Sequence, residues 1–161
     1  MHPRASTLIQ LLDLAPHPEG GYYRQLYRSS QVVQADESQL RRAAITTIYY
    51  LLAAGQYGRW HRVTSDEIWH YYEGDPLELI WLNPDRSAVQ HRLLGPATGE
   101  CRPVQVVPAG CWQAARPLGE YTLVGCSVAP GFEFEDFRLL ADDPEESARI
   151  RARFPELAIL I

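Results

Sequence analysis

The sequence predicts a mainly β protein, an antiparallel sandwich or barrel with a short helix at each end. Three observations predict it. Between Tyr22 and Leu139, short runs rich in β-branched and aromatic residues follow one another. Gly and Pro break these runs at turn positions, among them Pro84-Asp85, Gly95-Pro96, Pro108-Ala109-Gly110 and Pro130-Gly131. No helical segment intervenes, and short strands joined directly by turns pair as antiparallel sheets.

Taken in order, Ser6 can cap an opening helix over residues 6–14, with Leu8, Leu11 and Leu12 at helical spacing. Pro16, Pro18 and Gly20-Gly21 end it. Candidate strands then run over Tyr22–Arg28, Arg42–Leu52, Trp60–Val63, Glu67–Tyr72, Leu77–Leu82 and Ala88–Leu94. They continue over Val104–Val107, Trp112–Ala115, Tyr121–Val128 and Phe132–Leu139. In the last of these, Phe132 and Phe134 alternate with Glu133, Glu135 and Asp136 as an amphipathic strand should. A second helix over residues 144–154 closes the chain. Asp143 caps it, Pro144 suits its first position and Glu146 completes a capping box. Arg149, Arg151 and Arg153 fall toward its carboxyl end, where the helix dipole favours cations. Ile150, Phe154 and Leu157 form its apolar stripe. Residues 1–161 read as one domain with a barrel core over about 20–140, and no repeat, linker or low-complexity tract divides it.

Composition removes several function classes. With 161 residues, 46% hydrophobic and 22% charged, the chain has the make-up of one soluble globular domain. All 15 of its cationic side chains are arginine, and lysine is absent. A Schiff base, a pyridoxal-phosphate anchor and a Walker-type phosphate lysine all need an ε-amine, which arginine does not replace. A net charge of -5 and a pI near 5.5 argue against nucleic acid as partner. No apolar stretch approaches the ~20 residues of a membrane span. The opening Met1-His2-Pro3-Arg4-Ala5-Ser6 lacks the apolar core of a signal peptide. Cys101, Cys111 and Cys126 are odd in number and lack CxxC spacing, so they read as reduced thiols. The expectation is a cytoplasmic protein without nucleic-acid or membrane partners.

Two stretches concentrate chemistry: Gly58 to Gly74, and Val107-Pro108-Ala109-Gly110-Cys111-Trp112-Gln113. His61, Glu67 and Gly74 fall in register with the first motif of the cupin superfamily, and Pro108 and Gly110 with the second. Val63 and Gln113 stand where those motifs carry further histidines. The chain resembles one family in particular, DUF985 or Cupin-5. Four blocks carry that likeness: His17-Pro18-Glu19-Gly20-Gly21-Tyr22-Tyr23-Arg24, Asp66-Glu67-Ile68-Trp69-His70, Val107 to Ala114, and Gly125-Cys126-Ser127-Val128-Ala129-Pro130-Gly131-Phe132. They span roughly residues 8–140. The resemblance implies a double-stranded β-helix, that is, a jelly-roll barrel related to the sugar-nucleotide epimerases, usually a homodimer, with no established reaction.

Strand parity places the site. His61 and Val63 share one face of their strand, as do Glu67, Trp69 and Tyr71 of theirs. If Glu67 points into the barrel, the interior holds an imidazole, a carboxylate, Gln113 and several aromatic rings, a composition suited to a small-molecule pocket. The expected lining is His61, Glu67, Trp69, Tyr71, Trp112 and Gln113, with Arg24 offering a guanidinium fork to a ligand anion. Three readings stay open. One is a metal-independent isomerase or epimerase-like enzyme on a small polar or sugar-like ligand, with His61 and Glu67 moving the proton. The sugar-nucleotide epimerases use a histidine base, a tyrosine acid and a lysine; Glu19 to Tyr23 looks like their first strand, His61 matches the base, and no lysine is present to match. The second reading is a non-catalytic binding or sensing module. The third is a metal-dependent oxygenase or hydrolase with a reduced ligand set of His61, Glu67 and Gln113. No cofactor is expected under the first two.

Overall fold

The computed structural model describes residues 1–35 and 40–161. Its strands form two stacked antiparallel sheets and a hairpin. The first sheet has six strands in the spatial order β1 (Ala15–Pro16), β2 (Tyr22–Arg28), β5 (Thr46–Ala53), β12 (Tyr121–Ala129), β7 (Asp66–Gly74) and β10 (Val104–Val107). The second has five, β13 (Arg138–Leu139), β6 (Gly58–Arg62), β11 (Gln113–Pro117), β8 (Leu77–Leu82) and β9 (Val89–Leu94). The hairpin is β3 (Val32–Ala35) with β4 (Leu40–Ala43). This is the mainly β barrel that the sequence predicts. Among the described residues, no helix is long and apolar enough to cross a membrane.

Period-two alternation sorts the core into layers. Tyr50, Leu52, Trp69, Leu79, Trp81 and Val124 come from both sheets and pack between them. The opposite faces are covered as well. Helix α1 (Pro3–Leu11) lays Ala5 and Leu8 on Leu51, Tyr121 and Leu123 of the first sheet. Helix α2 (Pro144–Arg153) and the 3-10 turn Pro155–Leu160 bring Ile150, Leu157 and Leu160 onto Trp60, Ile80 and Leu82 of the second. Residues on both faces of β5 and β8 are therefore buried, which is why those strands read as near-continuous apolar runs.

Several boundaries depart from expectation. Helix α1 begins at Pro3, not Ser6. The His2 side chain accepts from the Arg4 amide at 3.2 Å and Pro3 presets the first turn, so Ser6 lies one turn inside. The run Arg42–Leu52 divides, because the Ala44 amide turns to the Gln31 carbonyl at 2.8 Å. At α2, Asp143 caps the Glu146 amide at 3.0 Å, but the Glu146 carboxylate pairs with Arg86 at 2.8 Å, so the box is half made. The largest correction concerns Phe132–Leu139. Only Arg138 and Leu139 pair as a strand, and Phe134–Asp136 forms a 3-10 turn. Ion pairs fix that turn. Arg42 holds Asp136 at 2.8 and 3.0 Å and Glu135 at 2.9 Å, and Arg28 holds Glu133. The acidic residues of the alternating pattern thus pair with arginines of β2 and β4, Asp136 most closely covered among them.

Candidate functional site

A cavity of about 260 Å³ opens at the end of the barrel where β5 and β7 begin and β12 finishes. Its titratable wall is His17, Glu19, His61, Glu67 and Cys126, with Gln25 and Thr46 as further polar side chains. Its rings are Tyr23, Tyr50, Phe132, Phe134 and Phe137, and Ile48, Val63 and Val128 complete the apolar surface.

Local backbone chemistry places Glu19. The His17 amide donates to the Gly21 carbonyl and the Gly20 amide to the His17 carbonyl, each at 3.0 Å, closing a tight turn. Gly20 and Gly21 adopt φ of +114° and +69°, and a Cβ on Gly20 would stand 2.2 Å from the Tyr57 carbonyl oxygen. Only glycine lets the turn press so closely on that segment. The Arg59 amide then donates to the Glu19 carbonyl at 2.9 Å, and the Glu19 side chain is left 7% exposed inside the barrel.

Around that carboxyl the geometry is specific. His61 Nδ1–H donates to the Arg59 carbonyl at 2.7 Å and lies 3.1 Å from Glu19 Oε2. A carbonyl only accepts, so neutral His61 carries its proton on Nδ1 and keeps Nε2 as a free lone pair. Phe137 stacks on the imidazole at 5.5 Å. His17 accepts the Glu19 amide on Nδ1 at 3.3 Å. Glu67 Oε2 accepts from Gln113 Nε2 at 2.5 Å, and Gln113 Oε1 accepts from Trp69 Nε1 at 3.2 Å.

Burial decides the charge states. It pushes Glu19 up to about 8, with the Tyr50 hydroxyl opposing, and raises Glu67 against the pull of His61. It lowers His17 to about 4, aided by the neighbouring His61, and lowers His61 against the field of Glu67. Glu19 and the two imidazoles are therefore held mostly neutral near pH 7, and the same burial pushes Glu67 toward its protonated form.

The residues anticipated from sequence divide accordingly. His61 and Glu67 line the cavity, and Gln113 meets it only through Glu67. Trp69 stands behind Gln113 in the core. Tyr71 shares a face with Glu67 but lies about 13 Å farther along β7, donating to the Gly74 carbonyl at 2.6 Å. Trp112 falls on the opposite parity from Gln113 and packs among Leu140 and Ile150. Arg24 points out of β2, bonding the Leu12 carbonyl at 3.2 Å and Asp13 at 3.5 Å. These last four do not line the cavity.

The fold family implies a divalent metal, and these side chains do not fit one. His61 Nε2 and Glu67 are two donors, but the amide oxygen of Gln113 is engaged by Trp69 and Val63 offers no donor. Among the described residues, no group of three or more His, Cys, Asp or Glu side chains could hold a metal ion.

Sequence reasoning missed His17, Glu19, Tyr23, Tyr50 and Cys126, and the ring triad of Phe132, Phe134 and Phe137. One signal was present. Phe137 breaks the alternation that Phe132 and Phe134 begin, as a turn would and a strand would not.

Similar proteins agree on the architecture. A protein from Leishmania major, described as hypothetical, superposes with a TM-score of 0.83 at 32% identity, covering 98% of this chain and 96% of its own. A Shewanella oneidensis protein gives a TM-score of 0.81 at 32% identity over 97% and 93%. An uncharacterized Saccharomyces cerevisiae protein, YML079W, is 28% identical over 87% of this chain and 78% of its own length. A Bacillus subtilis oxalate decarboxylase variant shares the fold alone, at 16% identity and a TM-score of 0.59, over 93% of this chain and 38% of that one. The Cupin_5 family, cupin superfamily (DUF985), matches residues 6–140. The chain belongs to the Cupin_5 family.

Proposed function

We propose that this protein is a metal-independent enzyme that moves a proton on a small molecule held in the barrel cavity. One observation carries the reading: His61, with its Nε2 lone pair free, faces the same cavity as Glu67, a carboxyl whose pKa is raised by burial. An imidazole lone pair and a carboxyl that burial pushes toward its protonated form can take a proton from a ligand and return one to it. Glu19 is a positioning residue. At 3.1 Å from Nδ1 it packs against the proton-bearing edge of the ring and helps keep Nε2 turned to the cavity. The apolar wall favours a ligand with an apolar body and one polar end. A sugar would leave most of its hydroxyls unpaired against Phe132, Ile48 and Val128.

The test has two stages. Thermal-shift screening finds a ligand, and solvent deuterium exchange into that ligand reports proton transfer. Glu67→Gln should abolish exchange while weakening binding only moderately. Equal loss of both removes the acid role, and saturable binding without exchange favours a non-catalytic sensor. Metal analysis of chelator-free protein should give under about a tenth of an equivalent; a full equivalent overturns the metal-independent reading.

A further inference from the structure

We propose that the cavity selects a small organic cation, an ammonium group carried on an apolar body about the size of a phenyl ring. This names the ligand class of the cavity described above and rests on that cavity being the binding site. It does not depend on whether the site catalyses.

The charge inventory of the wall supports it. Although the chain has 15 arginines, none lines the cavity. The nearby guanidiniums are committed elsewhere: Arg28 to Glu133, Arg42 to Asp136 and Glu135, and Arg62 over the Trp112 ring at 4.8 Å. A ligand carboxylate or phosphate would therefore be buried with no cationic partner and beside two carboxyl groups, a costly arrangement. A cation meets the reverse. Glu19 and Glu67 are 5% and 7% exposed, and the groups beside them are imidazoles, an amide, a hydroxyl and a thiol, none of which is a fixed positive charge. Five aromatic rings line the same space, and their negative faces attract ammonium groups.

Binding then carries a proton signature. The groups facing the two carboxyls are His17 from the turn before β2, Tyr50 from β5, His61 from β6, Gln113 from β11 and Cys126 from β12. Burial holds both imidazoles unprotonated and the phenol and thiol protonated, so none of them supplies a counter-charge. When R–NH3+ enters, one carboxylic acid of the pair loses its proton to solvent. The product is R–NH3+ against a carboxylate, with one H+ released per ligand bound, and the proton belongs to the pair rather than to either residue.

The experiment is calorimetric titration at pH 7 with three probes of one shape: 2-phenylethylamine, 2-phenylethanol and phenylacetate. Each is run in two buffers of different ionisation enthalpy. The amine should bind at least about tenfold more tightly than the alcohol, and phenylacetate more weakly than either. Only the amine should release a proton. Glu67→Gln should reduce amine affinity about tenfold and alcohol affinity less than about twofold. If that variant does not fold, the buffer dependence of the unaltered protein decides the matter alone. Phenylacetate binding as tightly as the amine, amine binding without proton release, or no binding of any probe at about 10 mM each overturns the proposal. Amine binding without deuterium exchange would remove the catalytic reading and leave this one intact. Exchange on a neutral ligand, with no preference for amines, would do the opposite.

Discussion

Replacing Glu19 with Gln should flatten the alkaline loss of stability, and the size of the effect follows from burial. The carboxyl has an ordinary value of 4.5 and is pushed to about 8 in the folded protein. Between those two values the folded chain holds a proton that the unfolded chain has released. This contribution is fully present below pH 4.5 and is lost as pH rises through 8. Each unit corresponds to about 1.4 kcal/mol, so integrating from pH 6.5 to 8 gives a loss of about 1.5 kcal/mol from Glu19. His17, lowered from 6.5 to about 4, acts in the opposite sense, since folded protein keeps it neutral while the unfolded chain protonates. Its contribution is nearly complete above pH 6.5, so it cancels Glu19 mainly between pH 4.5 and 6.5. The assay is urea denaturation at half-unit intervals from pH 5 to 8.5. The unaltered protein should show a plateau followed by a fall. Glu19→Gln should remove about 1.5 kcal/mol of that fall between pH 6.5 and 8, and Glu67, whose shift has the same sign, keeps the slope from vanishing. An unchanged alkaline slope in the variant would refute the claim that Glu19 is buried and protonated.

Other substitutions test separate parts of the construction. Phe137→Ala should let water reach His61 and raise its pKa toward the ordinary value, as read by NMR titration of the imidazole. Arg42→Met should free the segment 132–137, so chymotrypsin should cut there faster while far-ultraviolet circular dichroism stays unchanged. Gly21→Ala places a Cβ 2.6 Å from the Leu51 carbonyl oxygen at a positive φ, and should cost about 1–3 kcal/mol in denaturant titration. Trp60→Ala, at a fully buried ring whose Nε1 donates to the Leu157 carbonyl at 3.3 Å, should cost about 3–5 kcal/mol and detach the C-terminal turn.

The strands were legible because their chemistry is local. Leu77–Leu82 and Val104–Val107 are bounded by Pro and Gly in the sequence and keep those bounds in the fold. Residues 132–139 were not, because their conformation depends on Arg28 and Arg42, about a hundred positions away. The site divides along the same line. Parity within one strand correctly puts Glu67 and Trp69 on one face, but it does not measure depth, so Tyr71 was carried into the pocket when it lies near the far end of β7. Glu19 escaped notice because its importance comes from a turn folded against residues 57–59, and no periodic pattern marks a turn. The family resemblance quoted the segment without showing which of its side chains face inward.

The cavity is made from the two ends of the barrel's stretch of chain: Glu19 stands ahead of β2, and Phe132, Phe134 and Phe137 follow β12. During synthesis Glu19 emerges more than a hundred residues before the rings that close the pocket. No nascent chain can hold a ligand there until that last aromatic segment has left the ribosome and docked on Arg28 and Arg42. A ligand bound there touches segments from both ends of that stretch of chain, so it should slow the unfolding of the whole barrel and not merely of one loop.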